Sequence, residues 1–162
     1  RMNNTCIYSD MIINEDTVRV YNIHLASNWF KNTDYSFIQN PQKEKIKEGI
    51  IGITKRMKSS FIKRAEEVEI IKQHMADCTY PIIVCGDFND TPLSYAYNSI
   101  KGDLSDAFSI SGKGIGDSFV KIPALRIDYI LHDNELKSSN YQKHKQVLSD
   151  HYAVSCEIEI GN

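Results

Sequence analysis

Nothing in the 162 residues approaches the run of ~20 apolar residues that a membrane span needs, and no signal-peptide pattern opens the chain. There is no internal repeat and no low-complexity tract, so neither a stacked array nor a disordered tail is expected. The four cysteines (Cys6, Cys78, Cys85, Cys156) form no CxxC pair and have no spacing with histidine that suits zinc. Cys85 and Cys156 lie in apolar runs, where a thiol acts as a small hydrophobe. All four read as free thiols, which favours a reducing, cytoplasmic setting. The first residue is Arg1 and not Met, so the start reads as a cut. An upstream segment could then carry an anchor or a signal, and localisation stays open.

What is present is an ordinary globular composition, 41% hydrophobic and 25% charged. The length suits one domain, or part of a larger one, with a real core. The net charge of −2 hides an asymmetry: residues 41–72 hold nine Lys and Arg against five Glu. That stretch reads as a solvated helix face, with a phosphate-rich partner as the sharper alternative.

Along the chain, Cys6–Ile13 and Val18–Leu25 are rich in β-branched and aromatic residues and predict a hairpin around Asn14-Glu15-Asp16. Residues 28–40 read as irregular. Asn40-Pro41 suits a helix opening, and Phe61, Ala65, Val68, Ile71 and Met75 form a helical stripe. Gly49 and Gly52 allow one bent helix or two. A strand follows at 82–86, then a short helix near 94–99 and a loop, "SISGKGIGDSF". Its glycines precede a strand, not a helix, so it is no dinucleotide fingerprint; it suits a flexible loop over the site. Strands are expected again at 125–132 and 150–160, the last alternating Tyr152, Val154, Cys156, Ile158 and Ile160 with more polar residues. The order predicts an α/β layer with a mixed sheet. Trp29 and Phe30 could stack a base or lipid, or plug the core.

Polar residues recur at strand ends: His24, Asp87, Asn89, Asp128, Asp150 and His151. Carboxylates gathered in this way repel unless a cation neutralises them, and oxygen donors suit Mg²⁺ or Mn²⁺. A histidine beside an aspartate is oriented and made more basic. The chemistry this implies is metal-assisted attack of water on phosphorus. Each residue also has a plainer reading, as an Asx-turn (Asp87, Asn89, Asp90), a loop bridge (Asp150) or a core histidine (His24, His151). Asp128, between Ile127 and Tyr129, needs a partner in any reading.

"YNIHL", "VCGDFND", "RIDYIL" and "LSDHYAV", in this order, closely resemble the later half of the endonuclease/exonuclease/phosphatase superfamily, the deoxyribonuclease I-like fold. The resemblance runs from about Val18 to Ile160. It implies the C-terminal part of a four-layer α/β/β/α sandwich: one mixed, mostly antiparallel sheet with helices on one face. Residues 1–162 would form a single partial domain lacking its N-terminal portion. It implies a Mg²⁺- or Mn²⁺-dependent phosphoesterase acting on nucleic acid, lipid or sugar phosphate. His24 would contact the scissile phosphate. Asp87 would position or deprotonate the attacking water and also serve the metal, and Asn89 would hold water and phosphate. Asp128 would orient His151, the catalytic histidine, and Asp150 would be a metal-site carboxylate. The family's upstream Asn and metal-binding Glu have no match here, and Glu15, in a hairpin turn, is no substitute. An incomplete metal site and an uncovered apolar sheet face are therefore expected, with self-association through that face. The rival reading is a non-catalytic, self-associating half-domain.

Overall fold

The computed structural model describes residues 6–28, 30, 32–39 and 46–161. The hairpin forms as expected, from β1 (Cys6–Ile13) and β2 (Asp16–His24). Asn14 and Glu15 turn it with φ of 50° and 74°. Residues 28–40 are not irregular throughout, because α1 (Asn32–Gln39) occupies most of them. The Asn40-Pro41 opening and Trp29 lie outside the described residues.

One continuous helix, α2 (Ile46–Ala76), runs through Gly49 and Gly52. It is the crossover that a parallel pair requires, since β2 pairs in parallel with β3 (Ile82–Asp87). Val68 and Ile71 of the expected stripe are buried, whereas Phe61 stays 43% exposed. Arg64, assigned to the solvated face, is instead buried at 1% exposure. After β3 come α3 (Tyr95–Lys101), β4 (Ser105–Asp106), α4 (Ala107–Ser111) and β5 (Asp128–His132). Ser94 caps α3, its hydroxyl accepting from the Tyr97 N–H. The last two strands are β6 (Lys137–His144) and β7 (Ala153–Glu159).

The main sheet has the order β1-β2-β3-β5-β4, and β2·β3 is its one parallel pair. Its helix-side face carries Tyr21, Ile23, Val84, Tyr129 and Leu131, packed on Val68 and Ile71 of α2 and on Ala96, Tyr97 and Ile100 of α3. The opposite face presents Val18, Val20 and Ile83 to Ile158 and Ile160. Strands β6 and β7 form a separate two-stranded sheet, so the chain supplies part of a second sheet layer besides the expected one. The fold is a mixed, mostly antiparallel α/β layer structure, as expected. On β1 the paired register puts Ile7 and Met11 on the same side as Val18 and Val20, and they remain 62% and 46% exposed. The apolar sheet face expected to lie uncovered is thus covered in part, by Ile158 and Ile160, and this edge of it stays exposed. All four cysteines are free, with Cys85 and Cys156 lining one crevice between the sheets.

Gly86 fixes the spacing between β2 and β3. Its φ is 138°, and a Cβ there would lie 1.9 Å from the Ile23 carbonyl oxygen. Both the backbone conformation and the close approach demand glycine. We expect Gly86→Ala to cost roughly 3–5 kcal/mol or to abolish folding. Urea denaturation followed by circular dichroism measures it, and a loss below about 1 kcal/mol would show that β2 and β3 can separate freely.

Candidate active site

The ends of β2, β3 and β5 meet because the register aligns them. His24 lies beside Asp87 in the parallel pair, and Asp87 lies directly opposite Asp128 in the antiparallel one. His24 Nε2 is 3.8 Å from Asp87 Oδ2 and its side chain is largely exposed. His151 arrives from the chain just before β7, held by a bridge to Phe119. Its Nδ1 lies 2.8 Å from Asp128 Oδ2, and its Nε2 is 3.9 Å from Asp87 Oδ2. Asp87, Asp128 and His151 each offer a ligand atom within 4.8 Å of the others.

Asn89 secures the Asp87 carboxylate from two directions. Its backbone N–H donates to Asp87 Oδ1 (2.7 Å) and its Nδ2 donates to Asp87 Oδ2 (2.9 Å) and to the Leu25 carbonyl (3.0 Å). The φ of Asn89 is 53°, which asparagine tolerates better than most residues. The plain Asx-turn reading and the site reading thus describe the same atoms. Between them Phe88 is fully buried, with its ring 4.9 Å from that of Tyr129.

Asp150 stands apart. Its carboxylate is half exposed and takes Lys121 Nζ at 3.2 Å, and it is outside the three-residue cluster. That lysine holds its pKa below the usual carboxylate value. The expected site residues therefore gather except for Asp150, which sits at the rim of the same cavity.

Three supporting residues escaped the sequence reading. Arg64 donates through Nε to Asp90 (3.0 Å) and through Nη1 to the Ala26 carbonyl (2.7 Å) and Asn28 Oδ1 (3.1 Å). Asn28 in turn donates to the Asn89 carbonyl (3.3 Å). Ser118, fully buried, accepts from the N–H groups of Ile127 and Asp128, each at 3.1 Å. Ser118 and Phe119 close the segment read as a loop over the site; both are buried beside it, with Phe119 edge-on to His151 at 5.1 Å. A buried arginine inside a polar helix and a serine inside a glycine-rich loop give no periodic signal, which is why both were missed.

Electrostatics set the character of the cluster. Burial, and then the neighbouring Asp128 charge, push the Asp87 pKa up to about 6, although the Asn89 N–H and both histidines pull it down. The Asp128 hydrogen bond raises His151 above the ordinary imidazole value. Two carboxylates and an imidazole around a charge deficit suit a divalent cation, and neutralising Asp87 is what such an ion would do. The cluster opens on a cavity of about 820 Å³ whose far wall is apolar.

The sequence profile of the Endonuclease/Exonuclease/phosphatase family matches residues 57–151. The chain belongs to that family. The endonuclease/exonuclease/phosphatase fold recurs in solved structures at low identity. The human Nocturnin catalytic domain, bound to sulfate, is 16% identical with a TM-score of 0.61, covering 95% of this chain and 52% of its own. A mannosyl-6-phosphatase from Bacteroides thetaiotaomicron is 15% identical with a TM-score of 0.57, covering 96% and 57%. Humanized D. rerio TDP2 is 12% identical with a TM-score of 0.57, covering 96% and 58%. The chain thus spans a little over half the length of these structures. No curated protein matches it in sequence.

The raised Asp87 pKa carries a stability cost. The folded state holds the Asp87 proton more tightly than the unfolded chain, so the contribution of Asp87 to stability is most favourable below pH ~4 and falls as pH rises towards ~6. Above that, the charged group costs about 1–3 kcal/mol. We expect Asp87→Asn, without divalent cations, to be more stable than the parent by on the order of 1–2 kcal/mol at pH 7.5, with no difference at pH 4. Urea titrations at both pH values measure it. A variant no more stable at pH 7.5 would mean that Asp87 is already compensated.

Proposed function

We propose that this chain carries the site of a phosphoesterase that hydrolyses its substrate with an activated water. The observation that carries the reading is the meeting of Asp87, Asp128 and His151 within 4.8 Å at the mouth of a large cavity, in a chain of this family. A Mg²⁺ or Mn²⁺ ion, held by Asp87 with Asp150 at the rim, would stabilise charge on the phosphoryl oxygens. Asp87 orients the water and accepts its proton. Asn89, fixed to both Asp87 and the Leu25 carbonyl, positions water and phosphate. Asp128 holds the His151 imidazole with Nδ1 towards itself, leaving Nε2 facing the cavity to contact the phosphoryl group. His24, exposed at the opposite lip, serves the leaving group.

Hydrolysis of an aryl phosphodiester with Mg²⁺ or Mn²⁺ tests this, with His151→Ala as control. We expect turnover that needs both the metal and His151, and a loss of about 10²–10⁴-fold in kcat/KM on substitution. Because Asp87 must be ionised to act, the rate should climb as pH rises through ~6, and added cation should move that limb to lower pH. Turnover equal in His151→Ala would sink the assignment. So would a folded sample that shows no turnover.

Self-association belongs to the same proposal and is supported by one feature. Ile7 and Met11 lie exposed on the edge strand β1, beside Val20 on the sheet face away from the helices. We expect a dimeric mass in sedimentation at micromolar concentration, abolished by Ile7→Lys with Met11→Lys. A monomer at that concentration removes this part of the proposal.

A further inference from the structure

The cavity beside the cluster is built of two unlike halves. One end holds the carboxylates and histidines; the rest is mostly apolar, with Ser27, Asn28 and Thr91 as its polar members. Rings form a line outward from His151: Phe119 at 5.1 Å, then Tyr35 a further 6.0 Å on, then Phe30 at 5.7 Å. Opposite them, α2 contributes Ile53, Met57 and Phe61. Phe61 is 43% exposed, a large apolar side chain left wet where the helix borders the cavity. Among the described residues that line the cavity there is no Lys or Arg; Lys121, beside it, is engaged by Asp150 at 3.2 Å and lies over the Tyr35 ring at 5.1 Å. Among the described residues a polyanionic strand would find one lysine, already engaged by Asp150, to displace its counterions, whereas an uncharged chain or ring would bury its surface on the apolar residues.

We propose that this wall binds the hydrocarbon moiety, alkyl or aryl, of the phosphoester substrate, and that the substrate is therefore a phosphoester of an apolar alcohol. The inference rests on the proposed phosphoesterase site, because it is the cluster that fixes where the phosphoryl group lies. Continuity of one cavity from His151 to Phe30 allows a single molecule to place its phosphate at the cluster and its apolar part between α1 and α2. The volume, about 820 Å³, is that of a site for a small molecule.

Binding can be read without turnover. Alkylphosphonates from methyl to octyl, with phenyl- and naphthylphosphonate as the aryl arm, are titrated by calorimetry into the 162-residue chain with Mn²⁺. We expect affinity to rise about three- to fourfold for each added methylene until the cavity is filled. The slope should flatten in Phe61→Asn and Met57→Asn, positions open enough to the cavity to keep the fold, which circular dichroism checks. The stronger arm tells whether the moiety is a chain or a ring. An affinity independent of chain length, no binding by any member, or a mononucleotide bound more tightly than every alkyl and aryl member overturns the inference. Chain-length dependence without hydrolysis would instead remove the hydrolytic reading and keep the apolar site.

Discussion

Two carboxylates stand directly opposite each other, Asp87 on β3 and Asp128 on β5. Like charges in that relation destabilise a sheet, and most of what surrounds the pair can be understood as holding it in place. Asp128 is tied to His151, so one of the two charges has an imidazole partner at 2.8 Å. Asp87 is tied to Asn89 by two hydrogen bonds. Neither arrangement offsets the burial of Asp87 and then the charge of Asp128, which together keep its pKa raised. A stable fold keeps such a pair only where the rest of the structure fixes it, and here that support comes from three separate directions.

From the helix side, Arg64 reaches into the core and gathers Ala26, Asn28 and Asp90 around one guanidinium. Its burial pushes its own pKa down against the pull of Asp90. An arginine so placed is tolerable only because its donors are met, and removing it would strand Asp90. From the far side, Ser118 caps the start of β5 through two N–H groups, and Phe119 bridges to His151. From within the sheet, Gly86 brings β2 close enough for His24 to stand next to Asp87. Helix, loop and sheet thus each fix one edge of the site.

Much of this was legible in the chain, and the exceptions have physical causes. The hairpin is rich in β-branched and aromatic residues around a clear turn, β3 is an apolar run and β7 alternates, and the six candidate residues stood out near strand ends, five of them coming together in the structure. Strand β6 escaped because Lys137–His144 is polar and half of it faces solvent, with an irregularity between Ser139 and Gln142. Helix α1 escaped because eight residues with a buried Asp34 give too short a period to recognise. Asp150 could be read as a strand-end acid, but only the structure shows its carboxylate against Lys121, away from the cluster. Arg64 could not be read at all: its burial is a property of what packs over it.

The wide separation in sequence of the four groups that meet here has a kinetic side. His24, Asp87, Asp128 and His151 come together only when β2, β3 and β5 have paired and the segment before β7 has joined Phe119. Contacts of such long range are slow to form, because each closes a large loop before it gains anything. A partly folded chain holding the hairpin and α2 would own one of these groups, His24. Any ligand that requires all of them recognises the finished fold alone, and its binding would draw the whole chain towards the native state by mass action. The site is thus also a latch on folding.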